Sequence, residues 1–505
     1  MTSGVLPSIW RPHERQGVAP RERGAHLLLG GILALAALNF VWQLGSSSYF
    51  IDEVLSVQDA TTSLSRLIHT IPEAEKTPWT YFIFLHEWLG RTGSQTEWVA
   101  RLPSAIAGLA LVAAVYWMAR AVADRRSALL AAGLSALSPL VLEYAQEARV
   151  YAFLMLSLAL TVGFAIRGAE PNVPPGRRTT MLTAGALLAV LSMWLHYTGA
   201  LVVLPLCVWL AFRANIPPRS RTAFIAGCAI GALLLVPLAA KQHNNPSGGI
   251  GPAAGVNWGS LLEVAETPFD TRMQSEFDPR YLGVGVLDVA GVVLTLGSIA
   301  LLAKSPQIRH RRLLTALALC PPVLLILAGA AGQYVVNKRY AAVAAPTMLV
   351  IVAAAAAGRR RALALPIAVA AVAVCTIDSI DTHRRAGFYY PARDAIHYLK
   401  QSWKPGELIL APSEVSSIIP LEYYARRELK EAVTVLPTAN RRIVAAVLRT
   451  RRPTWLIVKL ARHAPPPQAI LRLIDRVLTP YGYRATSVGT FTTVATFAVV
   501  LTVPR

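Results

Sequence analysis

The sequence is poor in charge and in cysteine, and each shortage excludes a class of protein. Only 15% of its 505 residues are charged and 54% are hydrophobic, whereas about a quarter of an ordinary soluble domain is charged. An ordinary soluble globule is therefore excluded. The four cysteines all lie inside apolar runs without metal-site spacing, so we interpret them as small core residues. The chain also lacks a glycine-rich phosphate loop and an internal repeat.

The charge that is present is mostly basic, with a formal net charge of +21. Its arginines fall in short clusters between apolar runs, while acidic residues gather in the alternate set of loops. This alternation is typical of the charges that orient a multispanning membrane protein. A nucleic-acid surface would instead combine basic residues with aromatic residues in soluble structure. We therefore expect the membrane as a partner, and no nucleic acid.

Apolar runs close to the length of a membrane span occur throughout the first three quarters of the chain. We predict about eleven transmembrane helices, several of them near the short limit. The predicted spans are Leu27–Leu44, Leu102–Met118, Ser127–Leu142, Val150–Ile166, Thr179–Leu195, Tyr197–Phe212, Thr222–Ala240, Tyr281–Ala303, Leu313–Gly332, Ala341–Gly358 and Ala362–Ile377. The segment from Pro78 to Gly90 is aromatic but too short to span, which predicts a helix on the membrane surface.

The arginine clusters predict a cytoplasmic N-terminus, and the odd number of spans puts the C-terminal segment on the opposite side. We predict three parts: a cytoplasmic segment (1–26), a transmembrane domain (27–377) and an extracytoplasmic domain (378–505). Outer loops are expected at 45–80 and 241–280, the second being either a substrate lid or a solvated connector. Richness in alanine and arginine favours a bacterial source. We therefore predict a multi-pass protein of the bacterial inner (plasma) membrane.

After residue 378 the composition becomes that of a soluble domain with alternating helix and strand patterns. Helices are predicted at Ala392–Lys400, Val415–Arg426, Ile443–Arg449 and Ile470–Leu478, and strands at Glu407–Ala411 and Thr454–Lys459. The apolar tail Phe491–Val503 is rich in threonine and valine, which favours strands over a twelfth span. The predicted fold class is a mainly α polytopic membrane protein with a small α/β extracytoplasmic C-terminal domain.

Carboxylates concentrate in the first outer loop, beside the mouth of the predicted bundle. Asp52 and Glu53 follow the first span, and Glu75 with Lys76 closes the loop before Pro78. Carboxylates are costly near hydrocarbon, so this loop is our candidate active site; the alternative is a solvated acidic turn. One carboxylate could accept a proton from a hydroxyl while the lysine neutralises a departing phosphate.

Three other outer segments carry candidate ligand-binding residues. Arg149 could hold a phosphate with its fork of donors, or anchor the interface together with Tyr151. His196 and Tyr197 could bind a ligand or form part of the structure. The third segment is Lys338, Arg339 and Tyr340. Its two cations lie on the outer side of the membrane, against the charge rule, and the tyrosine lies beside them. This combination favours an anion-binding site over a structural anchor.

These motifs together resemble the GT-C superfamily of lipid-phosphate-sugar-dependent glycosyltransferases. The Asp-Glu pair after the first span is one such motif, and Glu-Lys-x-Pro is similar to the protein O-mannosyltransferase-like branch that includes the lipid A aminoarabinose transferases (glycosyltransferase family 39/83 type). Further similar segments are Glu97-Trp98-Val99-Ala100-Arg101-Leu102-Pro103-Ser104, Ser138-Pro139 with Gln146-Glu147-Ala148-Arg149-Val150-Tyr151, and Arg339-Tyr340 before Pro346.

The resemblance implies roles for individual residues. It makes Asp52 a base or organiser, Glu75 the second catalytic carboxylate and a candidate metal ligand, and Lys76 the lysine facing the lipid phosphate. Arg149 and the Arg339-Tyr340 pair match the phosphate side. The chain departs from the family by having Thr77 before Pro78 and by lacking an obvious histidine in the last outer loops. A divalent metal is therefore compatible with the sequence but not required by it, and no nucleotide cofactor is expected.

The sequence thus predicts an integral membrane hexosyl- or pentosyltransferase that uses a polyprenyl-phosphate sugar donor. Its acceptor is a hydroxyl of a glycan, lipid or protein outside the cytoplasm, and transfer inverts the anomeric configuration. Asp52, Glu53 and Glu75 are the predicted catalytic residues. The alternatives are a lipid or solute transporter or flippase, which would place more ionisable residues within spans, and an envelope polysaccharide polymerase or ligase.

Overall fold

The computed structural model describes residues 20–244, 256–269, 286–305, 308–333, 335–357, 361–384, 391–412, 414–429, 435–437, 447, 449–460, 464–492 and 496–505. Apolar helices dominate the first part of the chain, as its long apolar runs predict. In chain order the helices are α1 Pro20–Val41, α2 Ile51–Ala60, α3 Leu64–Ala74, α4 Thr80–Thr92, α5 Glu97–Val122, α6 Arg125–Leu137, α7 Pro139–Ala145, α8 Tyr151–Gly168, α9 Pro175–Leu195, α10 Ala200–Ala211, α11 Pro218–Leu233, α12 Val236–His243, α13 Trp258–Glu266, α14 Val286–Ala303, α15 Arg311–Ala330, α16 Lys338–Ala341, α17 Ala345–Ala356 and α18 Arg361–Arg384.

Nine helical segments of the described chain are long and apolar enough to cross a membrane. A tenth candidate is the pair α6 and α7, which is bent by 56° at its break, and Tyr197–Ala211 is a shorter apolar helix. All eleven predicted spans coincide with these segments, although residues 281–285 of the eighth span and residue 358 of the tenth lie outside the described residues. The predicted fold class is confirmed. The last membrane helix, α18, runs past residue 377 to Arg384.

The break between α6 and α7 follows from the Ser-Pro sequence at that point. The Ser138 hydroxyl accepts a hydrogen bond from the Val141 amide, and Pro139 occupies the first helical position, where its missing N–H costs nothing. After α7 the chain makes a non-helical turn, 146–150, before α8 begins. Side chains of this turn point into the bundle and are buried, so the broken helix brings polar groups to the edge of the membrane domain.

The first outer loop contains two helices, α2 and α3, which carry its acidic stretch. Helix α4 follows the loop and coincides with the helix predicted at 78–90. In the second outer loop, α12 ends at His243 and α13 is helical, while residues 245–255 and 270–285 lie outside the described residues. Whether that loop is a lid or a connector therefore stays open.

The C-terminal domain, residues 391–505, is the predicted α/β unit. Its helices are α19 Ala392–Ser402, α20 Val415–Glu428 and α21 Pro467–Leu478, and its strands are β1 Leu408–Ala411, β2 Val435–Pro437, β3 Thr454–Leu460, β4 Tyr483–Thr492 and β5 Thr496–Pro504. The sheet order is β2-β1-β3-β5-β4. β1 pairs in parallel with β2 and β3, whereas β5 runs antiparallel to β3 and β4. The apolar tail thus forms strands. Of the helix predicted at Ile443–Arg449, only residues 447 and 449 are among the described residues.

Helix α20 attaches this domain to the first outer loop. The Tyr424 hydroxyl donates to Glu97 Oε1 (2.6 Å) and accepts from the Tyr49 amide (2.7 Å). Beside it, Ile419 packs against buried Phe50 and Ile51 at the start of α2. The C-terminal domain therefore holds the segment that leads into the candidate active site.

Candidate active site

Helix α2 is fixed at its first turn by the carboxylate of Glu53. One oxygen, Oε2, accepts from the Phe50 amide at 3.0 Å, which satisfies a backbone donor at the helix start. The other, Oε1, accepts from the Ala148 amide at 2.8 Å, in the turn between α7 and α8. Arg101 of α5 donates to both oxygens at 2.8 Å, and both side chains are almost completely buried. Glu53 thus joins three separate elements at one point.

This arrangement assigns Glu53 an anchoring role in place of the catalytic role predicted from the sequence. Each of its oxygens accepts two hydrogen bonds, and the residue is 0% exposed. A general base needs an oxygen within reach of the substrate proton. Arg101 also donates to the backbone oxygens of Leu44, Ser47 and Ser48, so the pair fixes the whole approach to α2.

Asp52 precedes Glu53 by one residue, but its side chain lies in a different environment, beside two arginines. Its Oδ2 is paired with Arg339 Nη1, and its side chain keeps 13% exposure. Arg149 donates to Ser56 Oγ at 2.7 Å and, more weakly, to the Asp52 backbone oxygen at 3.4 Å. The Arg339 guanidinium also lies over the Phe50 ring, 5.2 Å from its centroid. Three residues separated by long stretches of sequence therefore meet at one place.

The electrostatics of this cluster keep Asp52 ionised. Burial alone would raise the pKa of Asp52, but the guanidinium groups of Arg339 and Arg149 lower it below its ordinary value. Burial would lower the pKa of Arg149, yet the carboxylates of Asp52 and Glu75 raise it above its ordinary value. Asp52 is consequently an acceptor-only carboxylate, the state that a general base needs before it takes a proton.

Arg339 and Lys338 start helix α16, where cations oppose the helix dipole. The Asn337 side chain caps this start by accepting from the Tyr340 amide. Lys338 is buried and pairs with Glu143 at 3.0 Å, so its charge is neutralised inside the bundle rather than offered to a ligand, in contrast to its predicted phosphate-binding role. Arg339 remains at the site.

Glu75 comes within electrostatic range of the same cluster. Burial raises the pKa of Glu75 to about 7, and the neighbouring carboxylates of Asp52 and Asp59 act in the same direction, while Arg149 opposes them. Asp59 lies about two turns along α2 from Asp52. Burial raises the pKa of Asp59 also, to about 6. The two ends of the first outer loop therefore converge on Arg149.

Gln242, at the end of α12, holds the Glu75 end of the loop in place. Its amide nitrogen donates to the backbone oxygens of Ile71 (3.2 Å) and Thr77 (3.0 Å), and its Oε1 accepts from the Tyr197 hydroxyl at 2.6 Å. Lys76 donates to the Gln242 backbone oxygen. Lys76 and Tyr197, both predicted to bind substrate, thus make contacts that position the loop.

The remaining predicted residues form a row of aromatic rings next to the arginines. The ring of His196 lies between those of Tyr151 and Tyr340, with centroids 5.7 and 5.5 Å away, and Tyr144 continues the row at 4.7 Å from Tyr151. Burial lowers the pKa of His196 to about 3. Its neutral ring accepts from the Thr198 amide through Nδ1, which leaves the proton on Nε2.

A divalent metal at Glu75 stays a prediction. Among the described residues, no group of three or more His, Cys, Asp or Glu side chains is placed to hold an ion. Metal binding at this site would need ligands from a substrate or water in addition to Glu75 and its neighbours.

Sequence reasoning missed several residues that organise the site. Arg101 could have been predicted to have a buried partner, because it lies inside an apolar helix, where a charged side chain is usually paired. Gln242 is uncharged and sits at a span end, so no pattern distinguished it. Glu147 was part of a quoted motif, but its surroundings depend entirely on the fold.

The fold is shared with solved structures of membrane proteins. ArnT from Cupriavidus metallidurans, crystallised with undecaprenyl phosphate, superposes with a TM-score of 0.55 at 13% identity, over 95% of this chain and 98% of ArnT. The oligosaccharyltransferase AglB from Archaeoglobus fulgidus, in complex with an inhibitory peptide and a dolichol-phosphate, gives a TM-score of 0.50 at 13% identity, over 86% of this chain and 69% of AglB. At these identities the likeness shows the fold alone.

A sequence-level comparison agrees with the structural one. Residues 78–240 match the family model described as dolichyl-phosphate-mannose-protein mannosyltransferase, whereas no curated protein sequence matches the chain. The matched range runs from the end of the first outer loop to α12 and includes Arg149 and His196. The GT-C resemblance predicted from the motifs is thereby confirmed.

Proposed function

We propose that this protein transfers a sugar from a polyprenyl-phosphate donor to a hydroxyl on the extracytoplasmic side of the membrane. The observation that carries the proposal is the meeting of Asp52, Arg149 and Arg339 at one partly exposed place. A base and two guanidinium groups are what such a transfer requires: one group to accept the hydroxyl proton and two to hold the departing phosphate.

The charge balance of the cluster favours an anionic ligand. The Glu53–Arg101 and Lys338–Glu143 pairs are each neutral overall and lie in the interior. Asp52 offsets one of the two remaining guanidinium charges, and the raised pKa of Glu75 reduces its contribution near neutral pH. Among Asp52, Arg149 and Arg339 alone about one positive charge is left over, which a phosphate would compensate through charge-assisted hydrogen bonds.

The transfer itself is a single displacement at the anomeric carbon. The acceptor oxygen attacks that carbon from the side opposite the phosphate, and its bond to the phosphate oxygen breaks. The electron pair leaves with polyprenyl phosphate, the hydroxyl proton passes to Asp52, and the configuration inverts. Arg149 and Arg339 stabilise the charge that develops on the leaving phosphate.

The contact between Asp52 and Arg339 couples donor binding to base strength. Without donor, Arg339 lowers the pKa of Asp52 and so makes it a weak base. A phosphate that draws Arg339 to itself would weaken this contact, and the pKa of Asp52 would rise towards the value that favours proton transfer. Asp52 would thus become a stronger base once the donor is in place.

Glu75 and the row of aromatic rings complete the proposal. Ionised Glu75 would position the acceptor hydroxyl or a divalent metal, and the rings of Tyr151, His196 and Tyr340 offer flat apolar faces beside the phosphate site for the sugar. The phosphate lipids named with ArnT and AglB support a polyprenyl-phosphate donor. In this proposal the site and the C-terminal domain face outward from a bacterial inner membrane, the N-terminus is cytoplasmic, and the acceptor is a glycan, lipid or protein.

The proposal is tested by the affinity of the purified protein for undecaprenyl phosphate in detergent. Loss of a charge-assisted hydrogen bond costs about 1.5–3 kcal/mol, or roughly ten- to hundredfold in affinity. We expect losses of this size in Arg339→Ala and Arg149→Lys, and a smaller loss in Lys76→Ala. The control is Arg91→Ala, which removes an exposed cation paired with Glu87 on the surface of α4.

Unchanged affinity in all three site variants would refute the proposed phosphate site. Normal binding without any sugar transfer from a polyprenyl-phosphate sugar would favour a lipid carrier instead.

A further inference from the structure

Glu147, in the turn between α7 and α8, is a buried acid without a hydrogen-bonding partner in the described part of the chain. Its side chain is 1% exposed, and neither carboxylate oxygen is hydrogen-bonded. The Tyr144 hydroxyl and Arg149 Nε are likewise buried without partners. Buried polar groups are nearly always satisfied, so a group of them beside an active site calls for an explanation.

Charged groups from several elements surround Glu147. The groups that act on it most strongly are Arg339 of α16, Glu53 of α2, Glu143 of α7 and Arg149 of its own turn. Glu53 and Glu143 are neutralised by Arg101 of α5 and Lys338 of α16 respectively. Glu147 therefore lies within the electrostatic influence of the two arginines of the proposed phosphate site, without a cation hydrogen-bonded to it among the described residues.

The carboxyl group of Glu147 can be neutral or ionised, and the charges of the two arginines affect the balance between these forms. Burial favours the neutral acid and raises the pKa of Glu147 to about 8, while Arg339 and Arg149 favour the ionised form. A phosphate on those arginines would cancel their effect, and the acid would hold its proton more firmly. Ionised Glu147 would, in turn, compete with the phosphate for the same positive charge.

We propose that Glu147 links lipid-phosphate binding to proton uptake, so that this acid takes up a proton when phosphate occupies Arg149 and Arg339. The inference rests on the proposed function, because it assumes that these arginines bind the donor phosphate. Glu147 is a positioning residue in this account: it acts through the arginines and does not touch substrate.

Proton linkage predicts a specific dependence of phosphate affinity on pH. Between pH 8 and 9.5 the affinity falls as pH rises, because ionised Glu147 must be reprotonated before the lipid binds. If phosphate raises the pKa of Glu147 by about one unit from its value of about 8, the affinity falls about fourfold between pH 8 and pH 9.5. A phosphate monoester loses its second proton near pH 6, so the ligand itself does not titrate in this range. His196 stays neutral throughout.

The experiment is calorimetric titration of undecaprenyl phosphate into the purified full-length protein at pH 8.5, in two buffers of different protonation enthalpy. We expect the wild-type protein to take up about half a proton or more per lipid bound. Glu147→Gln should bind without uptake and should lose the pH dependence of affinity. The control is Glu87→Gln, an exposed acid on the surface of α4 that pairs with Arg91, whose proton uptake should equal that of the wild type.

Two results would overturn the inference. Tight binding by the wild type without proton uptake refutes the linkage while leaving the proposed function intact, and this measurement does not depend on any variant folding. Uptake that persists in Glu147→Gln assigns the proton to another group. Absence of lipid binding by the wild type would refute the phosphate site, and the inference with it.

Discussion

Replacing Glu53 by glutamine distinguishes an anchoring residue from a catalytic one. Glutamine has nearly the same size, but it keeps a single oxygen where the carboxylate uses two. In the wild type each oxygen accepts one bond from Arg101 and one from a backbone amide, at 2.8–3.0 Å. The variant therefore loses two of the four bonds, turns an amide nitrogen towards two donors, and leaves the Arg101 charge buried without compensation.

The cost of this change follows from the burial of the pair. Removing one partner of a buried ion pair typically costs about 3–5 kcal/mol, because the remaining charge stays desolvated. We expect a loss of this size in the free energy of unfolding, measured by titration with sodium dodecyl sulfate in mixed micelles. Turnover should also fall, because Asp52 and the turn carrying Arg149 lose their common anchor.

The matched control is Glu87→Gln on α4. Glu87 pairs with Arg91 at 3.3 Å, and the two side chains are 52% and 80% exposed. An exposed pair of this kind contributes only about 0.3–0.5 kcal/mol. A Glu53→Gln protein that is as stable as the wild type but has lost turnover would refute the reasoning and make Glu53 itself a proton acceptor.

The remaining predictions concern pH, topology and the C-terminal domain. Because burial raises the pKa of Glu75 to about 7 and its ionised form is the active one, kcat/KM should increase as pH rises through about 7, and Glu75→Gln should remove this step. Cysteines introduced at exposed Ser65 and Arg484 should react with an impermeant reagent from outside intact cells, whereas one at Arg126 should not. Tyr424→Phe deletes two buried hydrogen bonds and should cost about 1–3 kcal/mol of stability, measured by the same detergent titration.

Each of these has an outcome that would count against it. A Glu75→Gln enzyme with the wild-type pH profile would assign the step to another group. Labelling of position 126 but not of position 65 in intact cells would invert the topology and the donor side. The control for Tyr424→Phe is Tyr423→Phe, whose hydroxyl accepts from partly exposed Arg427. Equal losses of stability in both variants would show that Tyr424 is not a specific anchor.

Much of the fold could be predicted because the membrane imposes simple rules. A span needs about 20 apolar residues, and basic clusters mark its ends, so even the bent pair α6–α7 and the short helix Tyr197–Ala211 coincide with predicted spans. The C-terminal strands were equally predictable, since runs of valine and threonine fit a pleated surface.

The sequence predicted which pairs of adjacent charged residues belong to the site, but not which member of each pair faces it. Consecutive residues on a helix point about 100° apart, so the two members of a charged pair face different environments. In Asp52-Glu53 the second residue is buried as an anchor and the first faces the site. In Lys338-Arg339 the lysine is buried and the arginine faces the site. The motif identifies both members, but only the packed structure shows which one is available.

Contacts between distant segments were beyond prediction for a different reason. Gln242 satisfies backbone groups of another loop, and Glu147 is buried without a hydrogen-bonding partner in the described part of the chain because of where the fold places its turn. Neither feature leaves a periodic or compositional trace in the chain. Such residues are found by accounting for every buried polar atom.

The central claim is that Asp52 accepts the proton of the acceptor hydroxyl. Its direct test is the turnover of purified Asp52→Asn with a polyprenyl-phosphate sugar donor and a hydroxyl acceptor, beside Asp59→Asn as the matched control on the same helix. Loss of a general base costs about 10²–10⁴-fold in rate, so we expect that loss in Asp52→Asn with stability close to the wild type, and a much smaller change in the control. Near-normal turnover by Asp52→Asn would contradict the account.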